Sequence, residues 1–253
     1  MIKQERQRMI VDLMNQNDMM GVADLAERLN CSMMTIRRDL ESLENEGTLK
    51  RIHGAAINVK NDYLQPSFYD RIQECSEEKI RIGKAAIELI KNGDIVFFDG
   101  STTALTAANN IPESLHITAV TNGLMTAVSL ASKPNINVII VGGDINSPTL
   151  SSVNFLAKKQ IELFHADHFI LSTNSISYPD GIFEKSLALI DIKKSFAARA
   201  KNTILLVDYR KFNRNSLSLS LALEEISTII TDIKAPPDEV SEIRGIGIEV
   251  IVV

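Results

Sequence analysis

Along the first sixty positions, apolar residues recur at helical intervals in three successive stripes. Ile10, Leu13 and Met14 form the first stripe, which stops around the polar run at 15–18; Val22, Leu25, Ala26 and Leu29 form a second, shorter one. Ile36, Leu40 and Leu43 make the third, at i, i+4 and i+7. Asn30 and Cys31 supply the turn before it, Ser32 a candidate N-cap and Gly47 a stop. The period then changes. Residues 48–59, TLKRIHGAAINV, alternate as a short hairpin with Gly54 near its turn. Residues 59–75 contain Pro66 and no sustained period, the pattern of a connecting segment.

From Ser76 onward, helices and strands alternate. Ser76, Glu77 and Glu78 start a helix with apolar positions at Ile80, Ala86, Ile87 and Ile90, closed by Asn92 and Gly93. Seven short strands are then predicted: Ile95–Phe98, Ile117–Val120, Val138–Val141, Phe169–Leu171, Ile204–Val207, Thr228–Ile230 and Ile248–Val252. Most are apolar on both faces and separated by helix-sized segments, which implies a mostly parallel sheet covered by helices on both sides. The expected organisation is a small winged helix-turn-helix domain over 1–58, a linker over 59–75 and a larger α/β domain over 76–253.

Charge gives the third stripe a second meaning. Residues 1–60 hold nine Lys/Arg and nine Asp/Glu, and the whole chain carries a net charge of −5, so nucleic-acid binding requires the positive groups to share one face. At 100° per residue, Arg38 and Met34 point away from the Ile36 stripe, with Thr35 and Arg37 on its flanks. An apolar back with an open, cationic front suits a recognition helix, whose N-terminal residues reach base edges in the major groove. Guanidinium groups suit both guanine O6/N7 and phosphate. The candidate DNA contacts are therefore Ser32, Met33, Met34, Thr35, Arg37 and Arg38, with Lys50, Arg51 and His53 on the hairpin. The competing reading is a solvated helix face on which Arg37 and Arg38 pair with Asp39, Glu41 or Glu44.

In parallel α/β sheets, ligands lie beyond the carboxyl ends of the strands. The residues following the first five strands are DGSTT (99–103), TNG (121–123), GGD (142–144), STN (172–174) and DYRK (208–211). Gly100, Ser101, Thr102 and Thr103 open a helix whose N–H groups and hydroxyls suit a phosphate. Lys211 would neutralise that anion, and Asp99 or Asn122 would take sugar hydroxyls. Thr121, Gly142 and Gly143 complete the candidate ligand site. Taken singly, each loop is equally well an ordinary turn or cap.

The motif S-x-x-T-I-R-R-D-L-x-x-L-E-x-x-G-x-L-x-R-x-H-G, running from Ser32 to Gly54, resembles the DNA-binding signature of the DeoR family of bacterial transcriptional regulators. From about Glu78 onward, DGSTT, TNG, VGGD, PDGI, VDYRKF and IITD resemble the landmarks of that family's effector domain. The resemblance implies a fold similar to ribose-phosphate isomerase and glucosamine-phosphate deaminase, double-stranded operator DNA as partner, a phosphorylated sugar or related metabolite as effector, and a homo-oligomer. It also implies a regulator, most simply a repressor of carbohydrate-metabolism genes. The chain differs from the family in placing Gly100 before Ser101, and in Ala188, Leu189, Tyr209 and Arg210.

The alternative is a sugar-phosphate isomerase or deaminase-like enzyme, with Asp99, Asp208 or Glu184 as base. An enzyme has no need of a winged helix, so no catalytic residue is expected. Cys31 and Cys75 are in unrelated contexts, and the four histidines lack ligand spacing, so neither a metal nor a cofactor is expected. With no apolar run long enough to span a bilayer and no secretory signal at the start, the expected location is the cytoplasm.

Overall fold

The computed structural model describes residues 3–16, 19–45, 49–52, 55–58, 68–214 and 216–253. The chain divides into two compact units, 1–65 and 66–253. Gly47, His53 and Gly54 lie outside the described residues, as does the connecting segment up to 67.

The small unit runs α1 (Lys3–Gln16), β1 (Met19–Gly21), α2 (Val22–Arg28), α3 (Met33–Asn45), β2 (Leu49–Ile52) and β3 (Ala55–Asn58). The three predicted stripes meet in one core of Ile10, Met14, Val22, Leu25, Leu29, Ile36, Leu40 and Leu43. The hairpin is antiparallel, with Leu49 opposite Asn58 and Ile52 opposite Ala55. Its strand β3 also pairs with β1, a third strand absent from the sequence reading. At three residues, Met-Met-Gly is too short to display any alternation.

The larger unit begins with α4 (Phe68–Gln73) and α5 (Ser76–Glu88), then β4 (Ile95–Phe98), α6 (Thr102–Asn109), β5 (Ile117–Thr121), α7 (Leu124–Ala131) and β6 (Ile136–Ile140). A hairpin of β7 (Asp144–Asn146) and β8 (Ser151–Val153) precedes α8 (Asn154–Ile161) and β9 (Ala166–Leu171). There follow β10 (Ser175–Ser177), β11 (Gly181–Glu184), α9 (Leu187–Ala197), β12 (Ala200–Leu206), β13 (Ser218–Ala222), β14 (Thr228–Thr231), α10 (Pro237–Gly245) and β15 (Glu249–Val252).

All seven predicted strands are present. They form one parallel sheet in the order β15-β14-β12-β9-β4-β5-β6. Alternate residues feed two cores: Phe97, Phe169 and Leu205 pack with α8, α9 and α10, whereas Val96, Phe98 and Ile170 pack with α5, α6 and α7. Phe196 of α9 seals the first core, with ring centroids 4.9 Å from Phe97 and 5.2 Å from Phe169. Successive strands from β4 run outward to β5 and β6 on one side, whereas the later ones build on the other side from β9. The order of the sheet therefore reverses between β4 and β9.

Three local expectations change. Cys75 (φ +47°), not Ser76, caps α5, and Ile80 is 42% exposed because the buried stripe is Lys79, Ile82, Gly83, Ala86 and Ile87. Residues 68–73 of the expected linker form α4, which packs on α6 with Phe68 buried. A small antiparallel sheet of β10, β11 and β13 adjoins the main one. Its strands are three to five residues long, too short to show a sustained period, although Ile176, Ile182 and Leu221 reach the core.

Candidate functional site

In the small unit, Ser32 Oγ accepts the Thr35 N–H at 3.1 Å, so the predicted cap fixes the start of α3. Ile36 and Leu40 are fully buried, whereas Met33 and Met34 are 53% and 59% exposed. Arg37 and Arg38 are exposed and form no ion pair among the described residues. The competing reading pairs them with Asp39, Glu41 or Glu44. Asp39 instead lies inward, 2% exposed, and is gripped by both Nε and Nη2 of Arg6 in α1. That two-pronged pair lifts the Arg6 guanidinium pKa further above its ordinary range, chiefly through the Asp39 hydrogen bond. Lys50 and Arg51 belong to β2, and His53 lies outside the described residues.

In the larger unit, the reversal between β4 and β9 brings the loops after these strands together, where an open parallel sheet forms its ligand crevice. Asp99 joins them. Its Oδ1 accepts Ser101 N–H at 3.0 Å, its Oδ2 accepts Ser172 N–H at 3.2 Å, and Lys193 Nζ stands 3.6 Å away. Ser101 caps α6 by accepting Ala104 N–H at 3.1 Å. The N–H groups of Thr102 and Thr103 then have no protein partner among the described residues. These free donors at the positive end of a helix are what an anion requires.

Gly100 is demanded by close approach. A Cβ there would meet Ser151 Cβ at 2.4 Å, and one at Gly123 would meet Gly100 Cα at 2.9 Å. The adjoining Thr121 Oγ1 accepts Gly123 N–H at 3.0 Å. Asn122 is 1% exposed and donates to Ser152 O at 2.9 Å, yet its own Oδ1 is buried with no partner among the described residues. Asp208, 1% exposed, likewise holds Arg210 through Oδ1 and leaves Oδ2 without a partner among the described residues. A buried acceptor lacking its donor is costly, and a hydroxyl-bearing ligand would satisfy it.

Gly142 and Gly143 do not join this group. Gly142 N–H donates to Gln160 Oε1 at 3.0 Å, and a Cβ on Gly143 would meet Val153 O at 2.6 Å, so both pack the β7–β8 hairpin against α8. Lys211 does join it, donating to Thr173 O at 2.8 Å.

Three cations were missed in the sequence. Lys193 of α9 donates to Glu184 and to Ser172 O, completing a buried network with Asp99 and with Asn174, whose Nδ2 holds Glu184 Oε2 at 2.6 Å. Lys79 of α5, 3% exposed, donates to Thr102 Oγ1 at 3.2 Å and to Arg71 O. Arg71 itself lies within the field of Glu184 and Asp99. The signal was present: Lys79 and Lys193 occupy buried stripe positions of their helices, beside Ile82 and Ala86 in one case and Leu189 and Phe196 in the other.

Burial pushes the Lys79 ammonium down to about 8, helped by neighbouring Lys211. It also lowers Lys211 and Arg71, against the pull of Asp208 on the first and Glu184 on the second. A desolvated ammonium such as Lys79, with no carboxylate in ion-pair reach among the described residues, is favourably placed to take an anion.

A family model described as the DeoR C terminal sensor domain matches residues 74–233, and one described as the DeoR-like helix-turn-helix domain matches residues 6–62. The HTH-type transcriptional regulator GolR of Listeria innocua is 34% identical over 230 residues, 91% of each chain. A putative aga operon transcriptional repressor of Escherichia coli O157:H7 is 28% identical over 251 residues, 98% of this chain and 93% of its own. Among solved structures, ribose 5-phosphate isomerase A from Methanocaldococcus jannaschii aligns over 54% of each chain at 12% identity and a TM-score of 0.41. With both domain models matched in order and GolR aligned across nearly its whole length, this chain belongs to the DeoR family of transcriptional regulators.

Proposed function

We propose that this chain is an operator-binding repressor of carbohydrate-metabolism genes, released from DNA by a phosphorylated sugar or related metabolite. The observation that carries the DNA half is the division of α3. Ile36, Asp39 and Leu40 are buried, whereas Met33, Met34, Arg37 and Arg38 face solvent with no internal ion pair among the described residues. Arg37 and Arg38 suit guanine edges and phosphates, and the two methionines suit thymine methyl groups. Lys50 and Arg51 of β2 would extend the contact to the phosphate backbone. A homo-oligomer acting in the cytoplasm would present two such helices to a repeated operator. Among the described residues, no helix is long and apolar enough to cross a membrane.

The effector half rests on the crevice at β4 and β9. Thr102 and Thr103 N–H groups, Lys79 and Lys211 take the phosphate; the unpartnered Asn122 Oδ1 and Asp208 Oδ2 take sugar hydroxyls. Regulation is favoured over catalysis because two of the three candidate bases are already engaged: Asp99 by two backbone N–H groups, and Glu184 by Lys193 and Asn174.

The test is a mobility-shift assay on DNA upstream of the chain's own gene, repeated with a panel of sugar phosphates. A sequence-selective shift reversed by one member of the panel is the expected result. Binding indifferent to sequence would sink the operator reading, and turnover of a pentose or hexosamine phosphate would sink the regulator-only reading.

A further inference from the structure

The segment through which the chain enters its larger unit is tied to the candidate anion site at several points. α4 begins at Phe68, three residues past the boundary at 65/66. Lys79 Nζ holds Arg71 O of α4 on one side and Thr102 Oγ1, in the first turn of α6, on the other at 3.2 Å. Arg210 Nη1 reaches Glu74 Oε2, just after α4, at 3.3 Å, while its Nε holds Asp208 Oδ1 at 3.0 Å. Arg71 Nη2 donates to Pro148 O at 3.2 Å, in the turn between β7 and β8. Each tie therefore runs from α4 or its C-terminal edge to a loop beyond the carboxyl end of the sheet or to the adjoining hairpin.

An ammonium has three donors, and two of those on Lys79 are engaged, on a carbonyl and a hydroxyl. No carboxylate lies within ion-pair reach of it among the described residues. An anion seated over Thr102 and Thr103 would take the third donor without displacing Arg71 O. It would also hold the nitrogen in its charged form, which makes the stronger hydrogen bond.

We propose that Lys79 is both an anion-binding group of the effector site and the tether of α4, so that a bound phosphate monoester tightens α4 onto the larger unit. This rests on the effector reading above and adds the route by which occupancy is passed to the segment leading to the DNA-binding unit. Sharing one side chain couples the two events: whatever the ligand gains from an ordered α4, α4 gains from the ligand.

The experiment is hydrogen exchange on the full chain, read in peptides covering 68–75. The probes are inorganic phosphate, glycerol 3-phosphate and ribose 5-phosphate, with binding followed separately by calorimetry. Saturation with a binding probe should slow exchange in 68–75 by about tenfold, the scale of one strengthened local tie. Glu74→Gln, which weakens the Arg210 tie while leaving Lys79 and its bonds to Arg71 O and Thr102 in place, should speed exchange there without ligand and leave probe affinity within about threefold. Lys79→Met should speed the same exchange and weaken probe binding by about tenfold or more. A probe that binds while exchange in 68–75 stays unchanged would overturn the coupling and leave the effector reading standing. Unchanged exchange in both Glu74→Gln and Lys79→Met would overturn the tether itself, with or without ligand. Failure of every probe to bind would take down the effector reading and the coupling together.

Discussion

The two units use cations in opposite ways. Arg37 and Arg38 of the small unit stand in water on a helix whose other face is core, while Lys79 and Lys193 of the larger unit are 3% and 6% exposed. An exposed guanidinium loses nothing by waiting, because water solvates it until a phosphate or base edge arrives. A buried ammonium must be compensated at once. Lys193 is compensated, by Glu184 and Asp99; Lys79 has only a carbonyl and a hydroxyl, and burial pulls it down to about 8. On the proposed reading, one unit displays charge to a large external partner, and the other keeps one cation for structure and another for a small anion.

Four measurements would break or sharpen that contrast. The largest effect is expected from Lys193→Met, which leaves Glu184 and Asp99 buried without their cation and should destabilise the larger unit by about 3–5 kcal/mol in denaturant titration. A loss below ~1 kcal/mol would show that Lys193 is no structural counter-ion. Next, Arg38→Ala should weaken specific operator binding by about 2 kcal/mol, roughly thirtyfold, with the unfolding midpoint unchanged. Unaltered affinity across a salt titration would remove Arg38 from the interface.

The third is pH. The folded value of Lys79, about 8, lies below its ordinary one, so stability lost to its burial is missing in full below pH 8 and is regained as pH rises from there towards the ordinary value. A phosphate ligand prefers the charged form. Its affinity should fall above pH 8, by up to about tenfold per unit, and calorimetry near that pH should register proton uptake on binding. A flat profile through this range would place the anion away from Lys79. The smallest effect is expected at Ser32→Ala: loss of the bond to Thr35 N–H should lower the stability of the small unit by about 1 kcal/mol, read by thermal unfolding.

The legible parts of the sequence were those where one physical demand dominates. The seven strands of the main sheet are buried on both faces and read as apolar runs; the third helix shows its inner stripe and outer arginines because 3.6-residue geometry separates them. The β7–β8 hairpin was not readable, since its short strands are held by pairing and by Thr149, Ser151 and Ser152 hydrogen bonds. The β10–β11–β13 sheet was missed because its strands, of three to five residues, are too short to show a sustained period although Ile176, Ile182 and Leu221 are buried. Asp39 looked like a surface acid because the arginine that grips it lies thirty-three residues away in sequence. Lys79 and Lys193 were visible as lysines on apolar stripes, but local pattern cannot tell a snorkelling lysine from one whose nitrogen ends at a buried polar group. Gly142 and Gly143 resemble a phosphate loop in composition; only the packing of Gln160 and Val153 against them gives them a different task.

The crossing of Gly100, Gly123 and Ser151 constrains how this crevice can ever be remodelled. There is no space there for even one added methyl, so on the proposed effector reading a bulkier or differently shaped guest would have to be accommodated elsewhere, for instance at the half-buried Tyr209, Arg210 and Asn174. Efforts to retune what this chain responds to would do well to diversify those three positions and leave the crossing alone.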